Sequence, residues 1–337
     1  MPAHDDPREP PAAVGGADAA DARPAPPPGA REAVDRAPAD APVLAVFGPT
    51  GIGKTALAFA LADRLGARGE HPVAVSADAL QVYQGLETLT GVPTATQQAR
   101  LEHRLVSILP VDARFSVGEY AELAHAEIDG LVGAGARPIV VGGTGLYLRA
   151  ALAKLDLRPP PPDELRARVE ADLERRGPEA LHADLARRAA WAAERIDPRD
   201  RSRIVRALEL LELGELEPPQ GPSQLWTADT RHPTRLVGLV MDREALYGRI
   251  DARVDAMVAA GAVEEVRAAH AAGASETARK ALGFEELLAG DVEAMKRRTR
   301  NFAKRQLTWM RKLPGVEVID MTGSTPEAVA GDLLPGP

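Results

Sequence analysis

The fold expected of this 337-residue chain is determined by residues 43–55, VLAVFGPTGIGKT. The apolar run Val43–Phe47 is typical of a buried parallel strand, and a helical pattern, Ala56–Leu65, begins directly after the quoted segment. Between them, Gly48–Thr55 matches the pattern of a phosphate-binding loop. In such a loop, glycines let backbone N–H groups turn towards phosphate oxygens, the lysine supplies a positive charge, and the threonine hydroxyl reaches a magnesium ion. The segment therefore predicts phosphate binding between a strand and a helix.

Four further apolar runs predict strands, and helical patterns separate them. The runs are Pro72–Val75, Pro138–Val141, Leu236–Met241 and Val316–Ile319. Alternation of strands and helices indicates a parallel sheet whose two faces are covered. We therefore predict an α/β fold: a P-loop NTPase-like parallel sheet flanked by helices, with a helical insertion domain.

Composition divides the chain into four parts. Residues 1–42 hold ten of the 29 prolines, no aromatic residue, and eight acidic residues against four arginines, which predicts a disordered tail. Residues 159–195 open with a proline-rich linker and continue in helix-forming residues, which predicts a helical insertion. The α/β catalytic core then comprises residues 43–158 and 196–325, and residues 326–337 form a C-terminal tail.

Overall composition excludes several classes of protein. The chain has no cysteine, which excludes a disulfide framework, a cysteine-based zinc site and a thiol nucleophile. It has no apolar run of about 18 residues and no apolar leader, so we expect a cytoplasmic protein without a membrane span. We also expect a monomer.

The net charge of −8 argues against a nucleic-acid partner, but the charge is unevenly distributed. The tail at residues 1–42 carries half of it, whereas Lys296–Lys312 contains eight basic residues and no acidic one. This basic segment either contacts phosphates of a nucleic acid, which we favour, or is a solvated face with two core aromatic residues, Phe302 and Trp309.

The chemistry near the phosphate loop favours group transfer over hydrolysis. The chain has no convincing apolar strand ending in Asp or Asp-Glu, the element that activates water in ATPases. Asp78 follows the second predicted strand, at the edge where ligands bind in parallel sheets. It is a general base, a residue that binds a magnesium ion through a water molecule, or a helix N-cap. The amides and aromatic ring in Asp78–Gly85 suit recognition of a nucleic-acid base.

Six motifs, in this order, resemble those of bacterial tRNA dimethylallyltransferases, and the resemblance covers about residues 43–320. They are Gly48–Thr55, Asp78–Gly85, Val141–Tyr147, Arg203–Glu209, Lys280–Phe284 and Thr299–Trp309. The resemblance implies transfer of a dimethylallyl group from dimethylallyl diphosphate to N6 of adenosine 37 in tRNA, giving N6-(dimethylallyl)adenosine and diphosphate. It implies Mg²⁺ as cofactor, the tRNA anticodon stem-loop as partner, and tRNA binding by the insertion at residues 159–195.

The resemblance also implies roles for individual residues. Asp78 takes a proton from the adenine amine, Thr55 binds Mg²⁺, and Arg253 neutralises the leaving diphosphate. The diphosphate is expected to bind Gly48, Pro49, Thr50, Gly51, Ile52, Gly53, Lys54 and Thr55. The positions expected to contact tRNA are Asp78, Ala79, Leu80, Gln81, Thr144, Arg166, Ser202, Arg203, Ile204, Val205, Arg206, Lys280, Ala281, Leu282, Gly283, Phe284 and Glu285.

Three residues depart from the family pattern, and the roles of two others have alternative interpretations. Ala79 stands where the family usually has serine, Leu89 where it has glycine, and Val92 where it has lysine. His103 is either structural or functional, and Trp191 with the arginine-rich segment 163–203 either clamps the anticodon stem or forms an ordinary helical pair.

Three alternative functions follow from these observations. An adenylate isopentenyltransferase acting on free nucleotide needs neither the insertion nor the basic segment. A degenerate, non-catalytic tRNA-binding homologue is suggested by the three departures at residues 79, 89 and 92. A small-molecule P-loop kinase is more distant.

Overall fold

The computed structural model describes residues 41–219, 221 and 223–335. Except for its last two residues, the predicted tail 1–42 lies outside the described residues. The described part contains six strands: β1 (Val43–Phe47), β2 (Pro72–Ala77), β3 (His103–Arg104), β4 (Arg137–Gly142), β5 (Thr234–Val240) and β6 (Glu317–Asp320). They form one sheet in the order β3-β2-β4-β1-β5-β6, and every pair of neighbours is parallel. The predicted α/β class with a parallel sheet is confirmed.

Fourteen α-helices connect and flank these strands in the described residues. They are α1 (Lys54–Ala67), α2 (Glu87–Thr90), α3 (Ala95–Arg100), α4 (Val117–Gly133), α5 (Gly145–Leu152), α6 (Asp163–Arg176), α7 (Pro178–Arg188), α8 (Ala190–Ala193), α9 (Arg201–Glu212), α10 (Arg243–Ala259), α11 (Ala262–Ala271), α12 (Phe284–Leu288), α13 (Val292–Met310) and α14 (Pro326–Leu333). Short 3₁₀ turns occur at Gln224–Trp226 and Ala278–Lys280. None of the helices in the described ranges is long and apolar enough to cross a membrane.

Two apolar clusters cover the two faces of the sheet. All five residues of β1 are buried; Val43, Ala45 and Phe47 belong to one cluster, and Leu44 and Val46 belong to the other. This alternation follows from the period of two along a strand, and burial on both faces explains why β1 is a continuous apolar run.

A third apolar cluster lies in the insertion, which is larger than predicted. Helices α6 to α9 contribute to this cluster, including Ile204 and Leu208 of α9. From sequence, the insertion was expected to end at residue 195 and α9 to belong to the core. The buried apolar residues of α9 recur at helical spacing, and this face packs with α6 and α7, so α9 belongs to the insertion.

The chain end also differs from the sequence-based expectation. Residues 326–337 were expected to be a tail, but α14 lies within this range and packs against α1. Val329, Ala330 and Leu333 of α14 are buried. The end of the chain therefore contributes to the core that supports the helix after the phosphate loop.

Sheet order determines where the functional loops meet. Strands β2, β4 and β1 are neighbours, and parallel strands present their carboxyl ends at one edge of the sheet. The phosphate loop follows β1, Asp78 follows β2, and Gly143 and Thr144 follow β4. The topology therefore brings three separate sequence motifs to one site.

Candidate active site

A cleft of about 760 Å³ lies at this edge of the sheet. Its walls come from the loops after β1, β2 and β4, from α10 and α13, and from the segment Leu89–Gly91. Its lining includes Asp78, Arg253 and Thr55, the three residues expected in catalysis, together with Lys54, which is expected to bind the diphosphate.

The phosphate loop presents only part of its length to the cleft. Thr50, Gly51, Gly53, Lys54 and Thr55 line it, whereas the Ile52 side chain is fully buried in the core. Gly53 has a φ of 105°, in the left-handed region that favours glycine. The loop residues therefore divide into backbone and polar groups that face the cleft and an apolar anchor that fixes the turn.

Lys54 is held at the base of the cleft by the loop itself. Its Nζ donates to the carbonyl oxygens of Gly48 and Pro49, at 2.9 and 3.0 Å. Burial, reinforced by the nearby positive charge of Arg253, lowers the pKa of Lys54 to about 8, and the Asp78 carboxylate partly opposes this change. A bound anion would restore the pKa, so the site favours a negatively charged ligand.

Asp78 both caps a turn and faces the cleft. Its Oδ1 accepts the Leu80 N–H at 2.9 Å within a turn, and its side chain also lines the cleft. No helix begins at Asp78, so the helix N-cap considered from sequence is wrong. One oxygen therefore fixes the orientation of the carboxylate, while the group remains beside Lys54 and Arg253.

The amide of Gln81 is fixed at both ends. Its Oε1 accepts from the Ser76 hydroxyl at 2.8 Å, and its Nε2 donates to the carbonyls of Thr90 and Gly91 at 3.3 and 3.1 Å. Gln81, which lines the cleft near Asp78, therefore also holds the Leu89–Gly91 segment of the cleft wall in place.

Two arginines of α10, Arg249 and Arg253, line the cleft. Burial lowers the pKa of Arg253, against the influence of Asp78, and its guanidinium packs so closely on Gly91 that a Cβ there would overlap it. Arg249 lies beside Gly53, with Nη2 3.2 Å from where a Cβ would stand. A role was predicted from sequence for Arg253 but not for Arg249. Because Arg249 lies four residues before Arg253, both fall on one face of the helix, and this spacing could have indicated Arg249 as a second residue of the site.

Gln306 of α13 is a second residue that sequence reasoning did not assign. It is buried, its Oε1 accepts the Thr50 N–H at 2.9 Å, and its Nε2 donates to the Gly143 carbonyl at 2.8 Å. One side chain therefore joins the phosphate loop to the loop after β4. It lies within the quoted Thr299–Trp309 motif, but its partners are distant in sequence.

The basic segment Lys296–Lys312 is divided by its ion pairs. Its first four cations pair with carboxylates: Lys296 with Asp255 and Glu293, Arg297 with Asp291, Arg298 with Glu286, and Arg300 with Asp251. Within the described residues the other four, Lys304, Arg305, Arg311 and Lys312, are exposed and form no ion pair. Arg305 lies over the Phe302 ring, and Lys312 over the ring of Trp226, which stacks on Trp309. Only the second half of the segment therefore has charge available to an anionic partner.

The residues expected to contact tRNA separate into two places and two kinds of environment. Asp78, Leu80, Gln81, Thr144, Lys280 and Leu282 line the cleft, whereas Arg166 and Ser202–Arg206 lie in the insertion. The side chains of Ile204, Val205, Ala281 and Phe284 are buried, so they pack the protein rather than reach a partner. Ser202 and Arg203 are exposed, as are Lys280 and Glu285.

Arg166 and Arg206 are committed to a buried carboxylate. Arg166 donates to both oxygens of Glu209 at 2.9 and 3.1 Å, and Arg206 Nη1 donates to Glu209 at 3.2 Å. Glu209 is fully buried, and its hydrogen bonds raise the pKa of Arg166. The contacts of Arg166 and Arg206 with Glu209 therefore lie within the insertion, where Arg166 joins α6 to α9.

His103 and Trp191, for which the sequence left a structural and a functional role open, both make contacts within the protein. His103 Nδ1 lies 2.6 Å from the Leu101 carbonyl, its ring meets Phe59 edge to face, and burial lowers its pKa, although it also lines the cleft. Trp191 packs against the apolar cluster of the insertion.

The surroundings of Thr55 fit a magnesium ion that takes few ligands from the protein and most of its ligands from the substrate and from water. Thr55, the last residue of the phosphate loop, lines the cleft. In the described part of the chain, no group of three His, Asp or Glu residues could hold a metal alone. Mg²⁺ typically keeps several waters and binds substrate phosphates with few protein ligands, which is what this donor set offers.

Family models and individual relatives match most of this chain. A model described as IPP transferase matches residues 81–313, and one described as Isopentenyl transferase matches residues 41–107. The chain is 41% identical to a tRNA dimethylallyltransferase of Bradyrhizobium sp. (strain BTAi1), over 85% of this chain and 95% of the relative. It is 43% identical to the tRNA dimethylallyltransferase of Rhodospirillum centenum, over 81% and 90% of the two chains.

Solved structures give the same result. The full-length tRNA isopentenylpyrophosphate transferase from Bacillus halodurans superposes with a TM-score of 0.60 at 31% identity, over 86% of this chain and 96% of that one. A eukaryotic dimethylallyltransferase acting on tRNA superposes with a TM-score of 0.63 at 21% identity, over 83% and 74% of the two chains, and shows a shared fold. The chain therefore belongs to the IPP transferase family, and within it to the tRNA dimethylallyltransferases.

Proposed function

We propose that this chain transfers a dimethylallyl group from dimethylallyl diphosphate to N6 of adenosine 37 in tRNA, giving N6-(dimethylallyl)adenosine and diphosphate. One observation carries the proposal: a single cleft contains a phosphate loop, the carboxylate of Asp78, and the cations Lys54, Arg249 and Arg253, which form no ion pair within the described residues. Cations of this kind bind the diphosphate, and the carboxylate receives a proton.

The proposed chemistry assigns each group one task. The exocyclic amine of adenine is a poor nucleophile, because its lone pair is delocalised into the ring. Asp78 accepts a proton from this amine as the new C–N bond forms to C1 of the dimethylallyl group and the C–O bond to the diphosphate breaks. Lys54 and Arg253, with the loop N–H groups, stabilise the negative charge that develops on the leaving diphosphate.

Magnesium belongs to the same proposal. Thr55 is the protein ligand that the site offers, and the remaining positions suit diphosphate oxygens and water. A bound Mg²⁺ neutralises part of the diphosphate charge.

A tRNA acceptor is favoured over a free nucleotide. The unpaired cations Lys304 and Arg305 lie on α13, Arg311 and Lys312 directly follow its last residue, and both Arg305 and Phe302 line the cleft. A free nucleotide would leave this basic surface and the insertion without a role. Position 37 lies in the anticodon loop, where a base can leave its stack at a cost of a few kcal/mol. A monomeric state and a cytoplasmic location complete the proposal.

The direct experiment incubates the protein with labelled dimethylallyl diphosphate, Mg²⁺ and unmodified tRNA, and identifies the modified nucleoside by mass spectrometry. We expect label in tRNA at adenosine 37 and none in AMP, and a loss of labelling with Asp78→Ala. Label in AMP alone would instead support the free-nucleotide enzyme. Binding of tRNA without turnover at saturating donor would support a non-catalytic homologue.

A further inference from the structure

The short helix α2 forms part of the cleft wall and has an unusual cap. It is a single turn of four residues, Glu87–Thr90, which is too short to be stable by itself. Its N-cap residue, Leu86, provides no side-chain hydrogen bond. The free N–H groups of Thr88 and Leu89 instead donate to Glu265, to Oε1 and Oε2 respectively, each at 2.8 Å. A carboxylate from α11, 176 residues away, therefore caps α2.

The turn held in this way contacts two groups of the candidate active site. The carbonyls of Thr90 and Gly91 accept the Gln81 amide, and the Gly91 backbone lies against the Arg253 guanidinium. Gly91 has a φ of 67°, so it ends α2 in a left-handed conformation that brings its carbonyl to this position. Movement of α2 would therefore displace both the amide beside Asp78 and an arginine expected to bind the diphosphate.

We propose that Glu265 is a positioning residue for the transfer reaction: its carboxylate caps α2 and thereby holds Gln81 and Arg253 in their places in the cleft. This inference rests on the proposed function for its catalytic part, because Arg253 is assigned there to the diphosphate. Glu265 itself is absent from the cleft lining and acts through α2. Without it, two N–H groups lose their partner, and the single turn loses the interaction that fixes it.

The chain offers a closely matched control. Glu264 and Glu265 both lie in the first turn of α11, where a negative charge favours the helix dipole. Glu264 is exposed and has no hydrogen bond or ion pair in the described residues. Glu264→Ala therefore removes the same dipole interaction as Glu265→Ala without removing the cap on α2.

The experiment compares Glu265→Ala, Glu265→Gln and Glu264→Ala with the parent. Calorimetry measures the Kd of inorganic pyrophosphate with Mg²⁺, steady-state labelling measures KM and kcat for tRNA prenylation, and thermal unfolding reports stability. For Glu265→Ala we expect about a tenfold rise in the pyrophosphate Kd and in the donor KM, and a fall in kcat. Glu265→Gln keeps one acceptor oxygen and should lie between parent and alanine variant. Glu264→Ala should stay within about twofold of the parent in every constant.

Specific outcomes overturn the proposal. If Glu265→Ala lowers the unfolding temperature but leaves the pyrophosphate Kd and the donor KM unchanged, Glu265 only stabilises the fold. Equal effects of Glu264→Ala and Glu265→Ala on the pyrophosphate Kd and the donor KM would also contradict it. If the parent binds pyrophosphate but does not label tRNA, the proposed function fails, and the pyrophosphate measurements still decide the role of Glu265.

Discussion

The cleft and the helical insertion both contain many cations, but they differ in how those cations are neutralised. Lys54, Arg249 and Arg253 in the cleft form no ion pair in the part of the chain that the structure describes. In the insertion, nine of the eleven arginines between residues 163 and 212 pair with a carboxylate; they are Arg166, Arg168, Arg175, Arg176, Arg187, Arg188, Arg201, Arg203 and Arg206.

This difference shows that arginine content alone does not indicate an anion-binding surface. Burying a cation without a partner is costly, so unpaired cations at the base of a cleft are most easily explained by a ligand that neutralises them. Exposed ion pairs contribute little stability each, and they leave little net charge for an anionic partner. The arginine-rich segment 163–203, for which the sequence allowed either a clamp on the anticodon stem or an ordinary helical pair, is therefore mostly neutralised within the protein.

Removing a cleft cation should have the largest effect on ligand binding. Lys54→Met keeps the length of the side chain but removes the charge, and we expect the Kd of pyrophosphate to rise by about a hundredfold, consistent with losing a desolvated charge interaction. Calorimetry measures this. The control is Lys154→Met, which removes an exposed lysine at the end of α5 and should change the Kd by less than about twofold. Equal effects of the two substitutions would show that Lys54 binds the anion no better than an exposed lysine outside the cleft.

Removing a buried carboxylate from the insertion should instead affect stability. Glu209→Ala leaves Arg166 and Arg206 without their shared partner, which typically costs about 3–5 kcal/mol. Urea unfolding and limited proteolysis of the insertion measure this, and pyrophosphate binding should be unchanged. Glu174→Ala breaks an exposed pair with Arg201 and should cost less than about 1 kcal/mol. A loss of pyrophosphate affinity in Glu209→Ala would show that the two regions are not independent.

The lowered pKa of Lys54 predicts a dependence of binding on pH. Lys54 is charged below its pKa of about 8 in the unliganded protein and neutral above it, so pyrophosphate affinity should fall as the pH rises above 8. The fall should approach about tenfold per pH unit, and binding should take up a proton in this range. Calorimetry in buffers of different ionisation enthalpy detects that proton. Lys54→Arg stays charged over the same range, so its binding should take up no proton at residue 54.

The smallest effects should appear in tRNA affinity. Arg305→Ala removes an unpaired cation of α13, and we expect tRNA binding to weaken a few-fold, with a salt dependence reduced by about one phosphate contact. Arg175→Ala removes an insertion arginine that is paired with Asp172, and tRNA binding should change by less than about twofold. Filter binding at several salt concentrations distinguishes the two. A larger effect for Arg175→Ala would show that the insertion pairs open to bind RNA.

The local features of the fold could be predicted from the sequence because each has a short-range signal. The strand β1 is an uninterrupted apolar run, and the glycines of the phosphate loop mark the turn that follows. All five predicted strands are present. Strand β3 was missed, because two residues, His103 and Arg104, are too short to show a periodicity.

Features that depend on distant contacts could not be predicted. The hydrogen bonds of Gln306 to Thr50 and Gly143 join residues more than 160 positions apart. The cap that Glu265 provides for α2 depends on tertiary packing as well. Composition likewise revealed that Lys296–Lys312 is basic, but only the folded chain shows which of its cations are paired. The sequence therefore predicted what kind of group the site contains better than how those groups are held.

The role of Asp78 is the central claim of this account. Asp78→Asn retains the oxygen that accepts the Leu80 N–H, so the local turn is preserved, but the amide cannot take a proton. The most direct measurement is the single-turnover rate of dimethylallyl transfer to unmodified tRNA by the parent and by Asp78→Asn, with pyrophosphate binding measured on both. We predict a rate lower by about a hundredfold or more, with pyrophosphate binding retained. A transfer rate equal to that of the parent would contradict the assignment of Asp78 as the base.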